Sequence, residues 1–176
     1  MRGLVLLLAA ALALAACGQS TAATIQAAMN ISLNSPDFPV APGPLPPDLG
    51  CAGSDRAPSM TWSDPPPSTR SLVVEMVDTE APGGIFAHWL VYDIPSGARS
   101  LTPPLPANAA QGRNGFGTDG YRGPCPPKGQ THIYLLLIYA TTLDPSLPSG
   151  LSRAQLEGRF KDHVIGMGQL EGTYQR

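Results

Sequence analysis

The sequence predicts a mainly β fold, an antiparallel β-sandwich with a peripheral helix. Among its 176 residues are 20 prolines and 19 glycines, a composition typical of short strands joined by many turns. The clearest hydrophobic patterns have strand lengths, and one segment near the C-terminus has helical spacing. The strongest strands are apolar on both faces, which predicts a sheet that is covered on both sides.

The N-terminal segment has the pattern of a secretory signal. One basic residue, Arg2, precedes an apolar run from Leu4 to Ala16, which is short for a membrane span. The run ends at Cys17 after small residues, and this pattern resembles the bacterial lipobox. In that motif the cysteine thiol receives a diacylglyceryl group and the leader is removed. An ordinary secreted protein, cleaved nearby, is the alternative.

These features divide the chain into three parts. We predict a lipoprotein-type signal peptide over residues 1–16, a flexible tether over residues 17–28 and one domain over residues 29–176. The lipid anchor would place the protein in the bacterial cell envelope, on a membrane and facing the periplasm or the exterior. The alternative signal predicts a secreted soluble protein.

Six segments of the domain have strand patterns: Ile31–Leu33, Met60–Trp62, Ser71–Asp78, Ala87–Ile94, His132–Thr141 and Gln169–Tyr174. Strand side chains alternate between faces, so Leu72, Val74, Met76 and Asp78 are predicted to share one face. The same alternation predicts a common face for His88, Leu90 and Tyr92. The segments Pro36–Pro58 and Pro95–Gly129 are predicted to be mostly irregular because proline and glycine dominate them.

One helix is predicted after these strands. Ser152 and Gln155 have the spacing of a capping box, and Leu156, Phe160 and Val164 follow at intervals of four residues. Gly158 weakens this helix because glycine loses more backbone entropy than other residues when it becomes helical.

The cysteines suggest a covalent link. If Cys17 carries a lipid, Cys51 and Cys125 remain as an even pair in an oxidising compartment, which favours a disulfide between them. Two buried free thiols are the alternative.

Charge and motifs exclude some classes of function. Charged residues make up 14% of the chain, the net charge is −2, and no basic run is present, so we expect no nucleic-acid partner. The chain has no GxSxG nucleophile motif and no HExxH metal motif, so we expect no catalytic residues, metal or cofactor.

The stretch Gly120–Tyr134 carries the most distinctive chemistry. A proline- and glycine-rich loop leads into a strand that presents His132 and Tyr134 on one face. His88 lies in another strand and Asp78 ends the strand before it. Each histidine could be a buried group hydrogen-bonded to backbone, or the set could bind an anion through imidazole N–H and tyrosine O–H donors.

Three motifs with these residues resemble those of one known family. Asp78–Pro82 resembles the DPDAP motif, His88–Pro95 resembles an HW-containing strand, and Gly123–Tyr134 resembles the signature GPxPPxGxxHxY. The three occur in the same order in the phosphatidylethanolamine-binding protein (PEBP) family. Cys125 within the third motif resembles the bacterial Raf kinase inhibitor-like branch, of YbhB/YbcL type.

The resemblance implies a large central sheet packed on a smaller one, with one or two peripheral helices. It also implies a pocket at one end of the fold for phosphate- or phosphoethanolamine-like anions. By position in the motifs, its polar residues would be Asp78, His88, His132 and Tyr134, and its walls Pro82, Phe86, Gly123 and Pro126.

Three functions are compatible with these features. The first is a lipid-anchored, non-catalytic binding protein for small anions. The second is an inhibitor or regulator of a protease or kinase, with protein contacts from the proline-rich loops Pro39–Pro47 and Leu101–Pro106. The third is a metal-assisted hydrolase that uses the same pocket.

Overall fold

The computed structural model describes residues 29–38 and 42–176, so the predicted signal peptide and tether lie outside the described residues. Within them the chain forms nine strands, one α-helix and two short 3-10 turns. The strands are β1 (Leu33–Asn34), β2 (Gly43–Pro44), β3 (Met60–Trp62), β4 (Ser71–Asp78), β5 (Phe86–Pro95), β6 (Ser100–Leu101), β7 (Ala110–Gln111), β8 (Thr131–Thr141) and β9 (Val164–Gln175). The helix is α1 (Arg153–Phe160), and the 3-10 turns span Pro47–Leu49 and Lys161–His163.

The strands form two sheets. The larger has six strands in the order β2-β9-β8-β4-β5-β7, and the smaller has three in the order β1-β3-β6. Pairing is antiparallel except between β2 and β9, which run parallel. This arrangement confirms the predicted mainly β fold with a large and a small sheet. The central strands β4 and β8 are the long apolar segments, as expected for strands with neighbours on both sides.

Apolar side chains cover both faces of β4. Leu72, Val74 and Met76 belong to the core shared with the smaller sheet. Val73 belongs to a second core on the opposite face, with Leu156 of α1. The predicted alternation of β4 and the two-sided burial of the sheet are therefore confirmed.

Helix α1 begins as its sequence predicts. The Ser152 side chain accepts the backbone N–H of Gln155, and the Gln155 side chain accepts the backbone N–H of Ser152, which completes the capping box. Leu156 and Phe160 point into the second core, and the helix ends before β9. No helix in the described ranges is long and apolar enough to cross a membrane.

A β-bulge in β5 overturns the prediction that His88, Leu90 and Tyr92 share a face. Ala87 pairs with Val77 on β4, but the next pair joins Trp89 to Met76, so His88 is an extra residue without a partner on β4. The extra residue reverses the alternation after it. Leu90 and Tyr92 therefore enter the second core, and the His88 ring lies against Tyr134 in the first.

Candidate functional site

Three residues of the candidate site lie side by side at one end of the large sheet. Asp78 at the end of β4 is paired with Tyr134 on β8 and with Phe86 on β5. Residues paired across antiparallel strands point to the same face, so the carboxylate, the phenol and the phenyl ring form one row. The strand register therefore explains why motifs 56 positions apart in sequence meet here, since residue 134 follows residue 78 by that interval.

His132 forms a buried pair with Asp78. Its Nδ1–H donates to Asp78 Oδ2 over 2.7 Å, and both side chains are nearly inaccessible to solvent. The other oxygen, Oδ1, accepts the backbone N–H of Glu80 at 2.8 Å. His132 Nε2 lies 3.2 Å from Gln130 Oε1, so protein groups engage both nitrogens of this ring. The carboxylate fixes the orientation of the imidazole.

His88 is held by backbone instead. Its Nδ1–H donates to the carbonyl oxygen of Arg122 over 2.6 Å. Because a carbonyl can only accept, Nδ1 carries the proton and Nε2 of the neutral ring carries the lone pair. Burial lowers the pKa of His88, and the hydrogen bond to Arg122 and the charge of Asp78 oppose that effect only in part.

The Tyr134 hydroxyl is fully buried and makes no hydrogen bond of standard geometry to the described residues, although the Asp78 carboxylate lies close enough to accept a weaker one from it. Such a group costs about 1–3 kcal/mol when it stays unpaired. Burial, followed by the nearby Asp78 carboxylate, raises the pKa of Tyr134 far above its ordinary value. The phenol therefore stays protonated and available as a hydrogen-bond donor.

The loop of residues 120–130, which contains the predicted wall residues Gly123 and Pro126 and is called the wall loop below, packs tightly against the chain around the 3-10 turn Pro47–Leu49. The Gly123 N–H donates to Asp55 Oδ1 over 2.7 Å, and a Cβ at Gly123 would lie 1.8 Å from the carbonyl oxygen of Leu49. Only glycine fits such a close approach. Cys51 and Cys125 are joined by a disulfide, with their Cα atoms 5.4 Å apart. The wall is thus fixed by one covalent and several polar contacts.

Of the remaining predicted wall residues, two lie in or beside the site and one lies in an exposed turn. The Phe86 ring lies 5.2 Å from the His88 ring, and Pro126 is buried within the wall loop. Pro82 is exposed in the turn between β4 and β5.

Two residues beside His88, Phe116 and Arg122, lie outside the sequence motifs that predicted the site. The Phe116 ring lies 5.8 Å from the His88 ring, and the Arg122 guanidinium lies 4.4 Å from the centre of the Phe116 ring. Phe116 is one of the exposed large apolar residues, with 39% of its surface accessible. An aromatic residue between Gly115 and Gly117 is the signal in the sequence that could have indicated it. Arg122 provides a cation beside the site.

A separate cavity of about 600 Å³ lies behind the wall loop. Trp89, Tyr121 and Asp55 line it together with the exposed loop Thr102–Leu105, and none of the four predicted polar site residues does. The wall loop contacts both the lining of this cavity and His88, since the Gly123 N–H donates to Asp55 and the neighbouring Arg122 carbonyl accepts the His88 Nδ1–H. All four predicted polar site residues are buried, with at most 5% of their surface exposed.

Relatives of this chain share the fold. A crystal structure of a putative phosphatidylethanolamine-binding protein homologue, CT736 from Chlamydia trachomatis, superposes with a TM-score of 0.76 at 31% identity, covering 83% of this chain and 97% of that one. Escherichia coli YbcL, described as a member of the mammalian PEBP family, gives the same TM-score at 29% identity and covers 83% and 98%.

Sequence relatives agree. A UPF0098 protein of Aquifex aeolicus is 39% identical over 133 residues, which are 72% of this chain and 78% of that protein. A protein of Mycobacterium tuberculosis named putative lipoprotein LppC is 35% identical and covers 85% of this chain and 74% of its own length. The family model described as phosphatidylethanolamine-binding protein matches residues 35–175. With its three motifs brought together at one end of the sheet, the chain belongs to the phosphatidylethanolamine-binding protein family.

Proposed function

We propose that this protein is a non-catalytic binding protein of the cell envelope whose site at Asp78, His88, His132 and Tyr134 takes a small phosphate-like anion. The buried Tyr134 hydroxyl without a partner carries the proposal. Native proteins pair nearly all buried polar groups, and an exception of this kind is expected where a ligand completes the hydrogen bonding.

The surroundings of the hydroxyl suit an anionic group. The His88 and Tyr134 rings lie edge to face with their centres 5.4 Å apart, so one small ligand could touch both. The Asp78–His132 pair holds the second imidazole in place, and the Arg122 side chain lies at the rim. No arrangement of a nucleophile with a general base occurs among these side chains, which supports binding rather than turnover.

Phosphate should bind to the full-length protein purified in detergent, and histidine variants should bind it less well. We expect His88→Ala and His132→Ala each to weaken the affinity for inorganic phosphate or phosphoethanolamine about tenfold or more in calorimetric titrations. The first variant removes a hydrogen-bonding group of the site, and the second removes the imidazole that holds the Asp78 carboxylate in place. His163→Ala is the control, since His163 lies in the exposed turn Lys161–His163 near α1. Equal affinities in all four proteins, or no binding to any of them, would reject the proposed function.

Membrane attachment through Cys17 belongs to the same proposal. The lipobox-like end of the leader and the name of the mycobacterial relative support it. We expect Cys17→Ser to move the protein from the membrane fraction to the soluble fraction and to remove the lipid mass from its N-terminus. Unchanged membrane association would contradict an anchor at this residue.

The alternative role, inhibition of a protease or kinase, has one supporting observation. Within the loop Leu101–Pro106, residues 102–104 are exposed and border the cavity of about 600 Å³. Inhibition of such an enzyme that persists in His88→Ala would favour this role over anion binding.

A further inference from the structure

The candidate site has few free side-chain donors and several free acceptors. The Tyr134 hydroxyl, beside the Asp78 carboxylate, is the one of these donors without a partner in standard hydrogen-bond geometry. Both His132 nitrogens already meet protein groups, and the His88 N–H is already donated to Arg122. The lone pair of His88 Nε2 and the remaining lone pairs of the Asp78 carboxylate are acceptors. A ligand that only accepts hydrogen bonds would leave these acceptors facing its own oxygens.

The charges around His88 also disfavour a ligand that only accepts hydrogen bonds. Asp78 at the end of β4 and Asp55 from the loop before β3 act on the imidazole as negative charges. Tyr134 of β8 faces the ring as a neutral phenol, and the positive Arg122 side chain lies outside, over Phe116. A fully deprotonated anion placed between His88 and Asp78 would therefore be repelled by the carboxylate.

We infer that the site binds a phosphoryl group in a form that keeps one acidic proton, which the ligand donates to His88 Nε2 or to Asp78, while Tyr134 O–H donates to an oxygen of the ligand. This inference rests on the proposed function and specifies the ligand class. It favours inorganic phosphate and phosphate monoesters, whose second proton dissociates with a pKa of about 6 or above, so that a fraction of each still carries it near neutral pH. It disfavours sulfate and phosphate diesters, which have no such proton.

A site that accepts a proton from its ligand discriminates strongly against ligands that lack that proton. A ligand without the proton would leave a buried acceptor unpaired next to its own oxygen, and sites built for a hydrogen bond reject ligands that lack the group. The low pKa of His88 is consistent with this, since a neutral ring can accept. A diester headgroup of an intact phospholipid falls in the disfavoured class, whereas the monoester released from it falls in the favoured class.

Titration of the full-length protein in detergent with four probes tests the inference. The probes are inorganic phosphate, methyl phosphate, sulfate and dimethyl phosphate at the same pH and ionic strength. We expect the first two to bind about tenfold or more tightly than the last two. Phosphate titrations in two buffers of different ionisation enthalpy should also show net proton uptake, because binding selects the protonated ligand.

A variant identifies the acceptor. Asp78→Asn replaces a carboxylate by an amide that can donate, so we expect the preference for phosphate over sulfate to shrink several-fold or disappear. His163→Gln is the control and should keep the preference. Equal binding of phosphate and sulfate by the unmodified protein without proton uptake would overturn the inference and leave the anion site standing. Binding of none of the four probes would overturn the proposed function as well.

Discussion

Replacing both Cys51 and Cys125 with serine is expected to lower the free energy of unfolding by about 4 kcal/mol. The disulfide joins residues separated by 74 positions, and a cross-link of that span removes much of the conformational freedom of the unfolded chain. For a domain of this size the change corresponds to a decrease in Tm on the order of 10 °C. Chemical denaturation followed by tryptophan fluorescence would measure it.

Reduction of the unmodified protein is the matched control. Unfolding in the presence of a reducing agent should reproduce the stability of the double variant, because both lack the same cross-link. The variant itself should be insensitive to the reducing agent. A loss below about 1 kcal/mol would show that contacts such as Gly123 N–H to Asp55 hold the wall loop without the disulfide.

Glu75→Gln is expected to stabilise the protein by about 3 kcal/mol at pH 8 and to leave it nearly unchanged at pH 4.5. Glu75 is fully buried on β4 beneath α1; its Oε2 accepts Arg153 Nε at 3.2 Å, and its Oε1 has no partner among the described residues. Burial, opposed by Arg153, raises the pKa of Glu75 to about 7. Glu157 and Tyr139 are the other titratable groups beside it.

The sign of this effect follows from the ordinary pKa of a glutamate, 4.5, which applies to the unfolded chain, and from the pKa of Glu75 in the folded protein, about 7. Below pH 4.5 Glu75 is protonated in both the folded and the unfolded state, so its titration costs nothing. As the pH rises towards 7, the unfolded chain releases the proton and the folded one retains it, so stability falls. Glutamine cannot titrate, and the difference between variant and unmodified protein should therefore grow across this window.

Denaturation at several pH values would measure the difference. His88 acts in the opposite sense, since its lowered pKa makes stability rise with pH towards 6.5, but it is present in both proteins and cancels. Glu157→Gln removes a partly exposed partner of the same arginine and controls for loss of pairing. Parallel stability curves for Glu75→Gln and the unmodified protein would contradict the prediction.

The strand segments could be predicted because their signals are local. The apolar run of β4 has its predicted ends, Ser71 and Asp78, and the capping box of α1 lies at Ser152 and Gln155. Propensity and periodicity act over a few residues, so the sequence alone contains them. Shorter elements such as β2 and β7 have two residues each, and they exist because longer strands offer them an edge.

The face of β5 on which each side chain lies, and the distances between site residues, could be known only from the folded chain. Strict alternation places His88 with Leu90, but a bulge whose position depends on pairing with β4 turns the imidazole towards Tyr134. The motifs indicated the residues of the candidate site through their resemblance to a family. They did not indicate that Phe116 and Arg122 lie beside His88, since loops have no periodic signal.

Sequence patterns alone are thus sufficient for the fold class and the main elements, because composition and periodicity are properties of the chain itself. The resemblance of three motifs to a family nominated the four polar residues of the candidate site. The tertiary structure decided their hydrogen bonds. The tautomer of His88, the pairing of His132 with Asp78 and the unpaired Tyr134 hydroxyl follow from which atoms meet across β4, β5 and β8. These contacts depend on strand register and burial, which exist only after the sheet has formed.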